Sequence, residues 1–228
     1  MSGVEAVLFD LDGTLTDSRL GILRSTRYAF EHLAATTGRA FPLPDDDHLN
    51  WIVGPPLRDS FAKLAGREFV ETLMGFYLDR YTETGAFENY VYDGIPAALD
   101  ALIASGARLF VATSKNEIDA HRILEHFGLA ARFQSINGAQ PGGARADKSE
   151  LIGYVLANEG LSPGRDRIAM IGDRKFDAIG ALNVGVTAIG ALWGYGDRDE
   201  LRTAGADPLV ATPADVPEAV RTLFAITR

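Results

Sequence analysis

Ala6-Val7-Leu8-Phe9-Asp10-Leu11-Asp12-Gly13-Thr14-Leu15-Thr16 is the stretch on which the fold turns. Its first four residues are apolar without alternation, as expected of a strand covered on both faces in a parallel sheet. In open α/β sheets the ligand crevice lies beyond the carboxyl ends of the strands. Asp10 and Asp12 stand where the chain leaves this strand, and a turn at Gly13 lets both face that crevice. Taken alone, D-x-D also suits the N-cap of a helix.

Runs of strand length recur at Leu109-Phe110-Val111-Ala112, Ile168-Ala169-Met170-Ile171 and Val186-Thr187-Ala188-Ile189. Phe133-Gln134-Ser135-Ile136 and Leu209-Val210 are weaker candidates. Helical spacing separates them. Ile118, Ile123, Leu124 and Phe127 precede Gly128, and Leu151 to Leu161 contains Gly160, each glycine a C-cap candidate. The alternation predicts an α/β fold with a doubly wound, parallel, Rossmann-like sheet.

One region breaks the rhythm. From Asp17 to Tyr92 helical patterns recur and no strand is expected. Leu20, Leu23, Arg27, Phe30 and Leu33 share one face; Phe69, Leu73, Phe76, Tyr77, Arg80 and Tyr81 form another set. Turns are expected at Phe41-Pro42-Leu43-Pro44 and Gly54-Pro55-Pro56. The reading is an all-helical cap domain, 17–92, inserted into a core made of 1–16 and 93–228. The triplet Asp45-Asp46-Asp47 reads as a helix N-terminus after Pro44.

The chain has 228 residues, 46% of them hydrophobic and 23% charged, with no cysteine. That excludes disulfide scaffolds, zinc ribbons and thiol catalysis. No run approaches the ~20 apolar residues of a membrane span, and no signal peptide is expected at the start, so the expected location is cytoplasmic. A net charge of −9, from 22 basic and 31 acidic residues, argues against nucleic acid as partner. A small phosphorylated metabolite is compatible, given a local cation.

The run Met170-Ile171-Gly172-Asp173-Arg174-Lys175-Phe176-Asp177 repeats the opening theme. Asp173 sits at a strand end and Asp177 in the first turn of a helix. With Asp10 and Asp12 this gathers four carboxylates about one crevice, where they must titrate or hold a cation. Oxygen ligands beside a phosphate suit Mg²⁺. Thr113-Ser114-Lys115-Asn116 ends another strand; its hydroxyls and N–H groups suit phosphate oxygens, or equally a helix cap by Ser114 or Asn116. Lys148 opens a helix after Gln140 to Asp147. A lysine there opposes the helix dipole, so it reads either as a surface residue or as the counter-charge to aspartate and phosphate.

Asp10-x-Asp12-Gly13-Thr14, Thr113-Ser114, Lys148 and Gly172-Asp173-x-x-x-Asp177, in that order, resemble the four motifs of the haloacid dehalogenase-like hydrolase superfamily. The insert is similar to that family's C1-type cap. Val53-Gly54-Pro55-Pro56-Leu57 and Trp193-Gly194-Tyr195-Gly196 resemble the phosphoglycolate phosphatase-like branch, although Ser149 stands where proline often follows the lysine. The resemblance implies a Mg²⁺-dependent phosphatase. Asp10 would be the nucleophile that forms an aspartyl-phosphate, and Asp12 the general acid and base. Lys148, Thr113 and Ser114 would bind phosphate. Metal would be held by Asp10, the Asp12 carbonyl and Asp173, with Asp177 supporting from behind. Gly54 and Arg58 are the cap residues expected to reach substrate. Phosphoglycolate is the expected substrate, with 5′-nucleotides, sugar phosphates, a phosphosugar mutase and a non-catalytic binding protein as alternatives. Monomer and homodimer are both compatible.

Overall fold

The structure is a computed structural model that describes residues 4–140 and 144–225. Residues 141–143, within the Gln140 to Asp147 stretch of the sequence, lie outside the described set. Two compact units emerge from the chain: Met1–Thr16 with Val91–Arg228, and Asp17–Tyr90.

The first unit begins with β1 (Ala6–Phe9), and β2 (Thr16–Asp17) follows a tight turn. The second unit then contributes α1 (Arg19–Thr37), α2 (Asp46–Leu49), α3 (Leu57–Ala65) and α4 (Val70–Glu83). After β3 (Tyr90–Val91) the chain alternates: α5 (Ile95–Ala104), β4 (Arg108–Asn116), α6 (Glu117–His126) and β5 (Ser135–Ala139). Next come α7 (Lys148–Asn158), β6 (Ile168–Gly172), α8 (Lys175–Asn183) and β7 (Thr187–Ala191). The series closes with α9 (Arg198–Thr203), β8 (Leu209–Val210) and α10 (Val216–Ala225).

Six strands form one parallel sheet in the order β5-β4-β1-β6-β7-β8. β1 is flanked by β4 and β6, with Ala6 opposite both Arg108 and Ile168. The chain therefore builds outward from β1 first to one side and then to the other. Such a reversal opens the crevice of a doubly wound sheet, here at the carboxyl end of β1. All four β1 residues are buried, so its apolar run reflects cover on both faces. Leu8 packs in a core with Phe110, Leu151, Val155 and Met170, each large side chain contributing about 1.5–3 kcal/mol on burial.

The helical unit packs α1 against α4, with α3 alongside. Its centre is aromatic: Phe61 meets Phe30 and Tyr77 edge-on at 5.7 and 5.9 Å, and Tyr77 stacks on Tyr81 at 5.1 Å. α1 stops at Gly38, whose φ of 68° is the left-handed cap that glycine adopts without strain. Asp45 caps α2 by accepting from His48 N, as the acidic triplet predicts.

Three expectations need correction. The face of α1 shared by Leu20, Leu23, Arg27, Phe30 and Leu33 is not uniformly packed: Leu23, Phe30 and Leu33 are buried, Leu20 is exposed and Arg27 forms an ion pair with Asp46. The region expected to lack strands contains a two-residue strand at each end, and β2 and β3 pair in a separate small sheet. A propensity window cannot register a two-residue strand whose partner is distant in sequence. Finally, β5 starts at Ser135, two residues after the expected start at Phe133. Phe133 instead turns its ring to Phe9.

Candidate active site

After β1 the chain bends at once. Leu15 N donates to Leu11 O at 2.9 Å, and Gly13 N to Thr16 O at 2.7 Å. Gly13 has φ 85°, and a Cβ there would collide with the Asp173 carboxylate. Glycine is needed for backbone and for space. The bend leaves Asp10 and Asp12 at the crevice.

Asp10 Oδ1 accepts from Leu11 N at 2.8 Å and lies 3.1 Å from Lys148 Nζ. Lys148 occupies the first position of α7, which Asp147 caps by accepting from Ser149 N and Glu150 N. Its side chain is buried, so the surface-lysine reading fails. The ammonium donates to Ala112 O at 3.0 Å and pairs with Asp177 Oδ1 at 2.8 Å. Burial alone pulls this ammonium down, but the carboxylates of Asp10 and Asp177 outweigh it and hold it above the ordinary lysine value.

Asp173 follows β6 and is fully buried. It accepts from Thr14 Oγ1 at 2.9 Å and from Tyr195 N at 2.8 Å. Burial pushes its carboxyl well above the usual range and nearby Asp177 and Asp10 push the same way, against the two hydrogen bonds. Asp177 is in the first turn of α8, where its Oδ2 accepts from Arg174 N at 3.1 Å. Burial raises its carboxyl to about 6, with Lys148 opposing.

One oxygen each from Asp10, Asp173 and Asp177 lies within 4.8 Å of the others. Lys148 offsets one of the three charges, leaving two when all are ionised. Asp177 Oδ1 meets Lys148 as an ion pair without hydrogen-bond geometry, so this buried oxygen still has a lone pair to offer. An all-oxygen set with this residual charge fits a hard divalent cation. The crowding is strict: Cβ atoms at Gly172 and Gly194 would run into Asp177 and Asp173.

The remaining expected residues distribute unevenly. Thr113 is buried at the end of β4, and its Oγ1 accepts from Lys115 N at 3.2 Å. Ser114 is exposed, and Asn116, not Ser114, caps α6 by accepting from Ile118 N. Gly54, at φ 106°, and Arg58, paired with Glu71, are exposed residues of the helical unit.

Residues to which the sequence assigns no role also contribute. Lys115 Nζ lies 2.9 Å from Asp12 Oδ2 with both side chains largely buried. Thr14 and Tyr195 hold Asp173. Glu117 accepts from Gly138 N and Gln140 Nε2 and pairs with Arg145, tying the end of β5 to the start of α6. Thr14, Lys115 and Tyr195 all stand in quoted motifs, but spacing carries no sign of which carboxylate each would meet.

Three carboxylates and a buried lysine thus gather at the switch point of a parallel α/β sheet, beyond the ends of β1 and β6. The chain belongs to the haloacid dehalogenase-like hydrolases, whose family model matches residues 7–191, and it is a phosphatase. It is 41% identical over 198 residues to a 5′-nucleotidase of Pseudomonas aeruginosa, covering 86% of each chain. Over 195 residues it is 40% identical to the tyrosine-protein kinase PtkA of Mycobacterium tuberculosis, covering 86% of this chain and 64% of that one. Against a phosphoglycolate phosphatase of Caulobacter vibrioides, identity is 29% over 225 residues, with 96% and 91% covered. A predicted phosphatase from Clostridium acetobutylicum superposes with a TM-score of 0.85 at 37% identity, covering 99% of this chain and 100% of that one.

Proposed function

We propose that this phosphatase hydrolyses a small phosphomonoester through an aspartyl-phosphate on Asp10, with Mg²⁺ as cofactor. The observation that carries the reading is the convergence on Asp10 of the Lys148 ammonium and two further carboxylates, at the crevice end of the central strand.

Asp10 Oδ1 is already engaged by Leu11 N–H and Lys148, so Oδ2 is the oxygen that attacks. As the Asp10–phosphorus bond forms, the ester P–O bond breaks and its electron pair goes to the leaving oxygen. Asp12 gives that oxygen a proton, then takes one from the water that hydrolyses the acyl-phosphate. Thr113 and Lys148 hold non-bridging oxygens, with Ser114 at the exposed rim. Asp10, the Asp12 carbonyl and Asp173 would hold Mg²⁺, with Asp177 orienting Lys148 and Asp173 from behind. Bound there, the ion supplies positive charge to the phosphoryl oxygens. The helical unit acts as the cap, with Gly54 and Arg58 its candidates for substrate contact.

The substrate class is a soluble phosphorylated metabolite. The 5′-nucleotidase relative, at the higher identity, supports nucleoside monophosphates ahead of phosphoglycolate. The test is hydrolysis of p-nitrophenyl phosphate with Mg²⁺ and after chelation, then a panel of nucleoside 5′-monophosphates, 2-phosphoglycolate and sugar phosphates. Turnover should vanish on chelation and in Asp10→Asn, whose circular dichroism should match the parent. Full activity in that variant would refute the nucleophile; isomerised sugar phosphate without released phosphate would indicate a mutase.

A further inference from the structure

β4 does not end as a regular strand. Its register with β5 runs Val111 to Ile136, Ala112 to Asn137 and Thr113 to Gly138, then jumps to Asn116 opposite Ala139. Ser114 and Lys115 are the extra residues of this bulge. Bulges bend a strand locally and re-aim side chains. Gly138 makes room for it: a Cβ at that position would lie 2.5 Å from Lys115 O and 2.7 Å from Glu117 Cα. Glu117 then fixes the far side by accepting from Gly138 N at 3.0 Å.

The displaced Lys115 carries its ammonium to 2.9 Å from Asp12 Oδ2, and its side chain is only 8% exposed. Asp12 Oδ1 is buried and has no hydrogen-bond partner among the described residues. Each aspartate of the D-x-D pair thus has its own lysine, with different surroundings. Lys148 is tied to Ala112 O, Asp10 and Asp177 and serves the nucleophile. Lys115 is directed at the neighbouring carboxyl, which has little else to orient it. Charge-assisted contacts of this length are the strong ones.

We propose that Lys115 is a positioning residue for the leaving-group step: swung out of β4 by the bulge, it holds the Asp12 carboxyl where it meets the departing oxygen. This rests on the general-acid role proposed for Asp12. The P–O bond that breaks sends its electrons to the ester oxygen, and the proton that neutralises them comes from Asp12. An alkoxide needs that proton; p-nitrophenolate leaves without it.

The experiment compares kcat/KM for an alkyl phosphomonoester and for p-nitrophenyl phosphate in the parent and in Lys115→Met. A positioned general acid contributes roughly 10²–10⁴-fold, so misplacing Asp12 should lower the alkyl-to-aryl ratio by about 10-fold or more. Lys115→Arg should recover part of the ratio, and on an Asp12→Asn background Lys115→Met should lower it no further. Equal losses for both substrates would make Lys115 a phosphate ligand and overturn the proposal, as would an unchanged ratio. Should Lys115→Met fail to fold, Lys115→Gln supplies the same ratio. Absence of hydrolysis in the parent would sink the phosphatase mechanism; an active parent with an unmoved ratio would sink the positioning role alone.

Discussion

Replacing Lys148 with Met keeps most of the stem volume and removes the charge. The ammonium is buried with Asp10 and Asp177 as ion-pair partners and Ala112 O as hydrogen-bond acceptor. Breaking one side of a buried ion pair costs about 3–5 kcal/mol, because the remaining charge is left uncompensated. The loss should depend on pH. The folded Asp177 carboxyl sits at about 6 against an ordinary 3.8, so between those values the folded chain holds more protons than the unfolded chain. That contribution therefore falls as pH rises from about 4 to 6. Without Lys148 the carboxyl rises further and the decline extends above pH 6. The assay is urea unfolding at pH 5 and pH 8 without divalent cation, followed by fluorescence of Trp193 in a Trp51→Phe background; Trp193 Nε1 donates to Thr14 O at 3.0 Å. The deficit should be smaller at pH 5, where Asp177 holds a proton, and reach about 3–5 kcal/mol at pH 8, with Mg²⁺ restoring part of it. A deficit below about 1 kcal/mol at pH 8, or one equal at both pH values, would show that Lys148 does not compensate buried carboxylate charge.

Three further outcomes follow from the same geometry. Gly13→Ala places a Cβ against Asp173 at a φ of 85°; it should destabilise the chain by about 1–3 kcal/mol in chemical denaturation and abolish most phosphatase activity. Thr14→Val removes the 2.9 Å hydrogen bond to buried Asp173; stability at pH 8 should fall by about 1–3 kcal/mol, and isothermal titration should show weaker Mg²⁺ binding. Arg58→Ala breaks an exposed pair with Glu71; its effect on stability should stay within about 0.5 kcal/mol. A rise in KM in that well-folded variant would mark Arg58 as a substrate contact, and an unchanged KM would remove it from the cap's candidates.

Much of the architecture was legible because burial leaves a one-dimensional trace. A strand covered on both faces must be apolar throughout, so Ala6–Phe9, Leu109–Ala112 and Ile168–Ile171 announced themselves, as did α6 and α7, with Gly128 and Gly160 one residue beyond their C-caps Phe127 and Glu159. The motif residues followed from position at strand ends, a property of order along the chain. Short pairings such as β2 with β3 left no such trace, since two residues carry no period.

Electrostatic partnership is different, because it depends on distance in space. Nothing around Lys148 in sequence says that its ammonium is buried between Asp10 and Asp177, residues 138 positions before it and 29 after it. Nor does the run Thr113 to Asn116 reveal the bulge that turns Lys115 toward Asp12. Residue order is enough to mark the long apolar strands and the aspartates that follow them. Which lysine answers which aspartate is a matter of packing, because Coulomb energy is set by separation and burial, and both arise when distant segments meet.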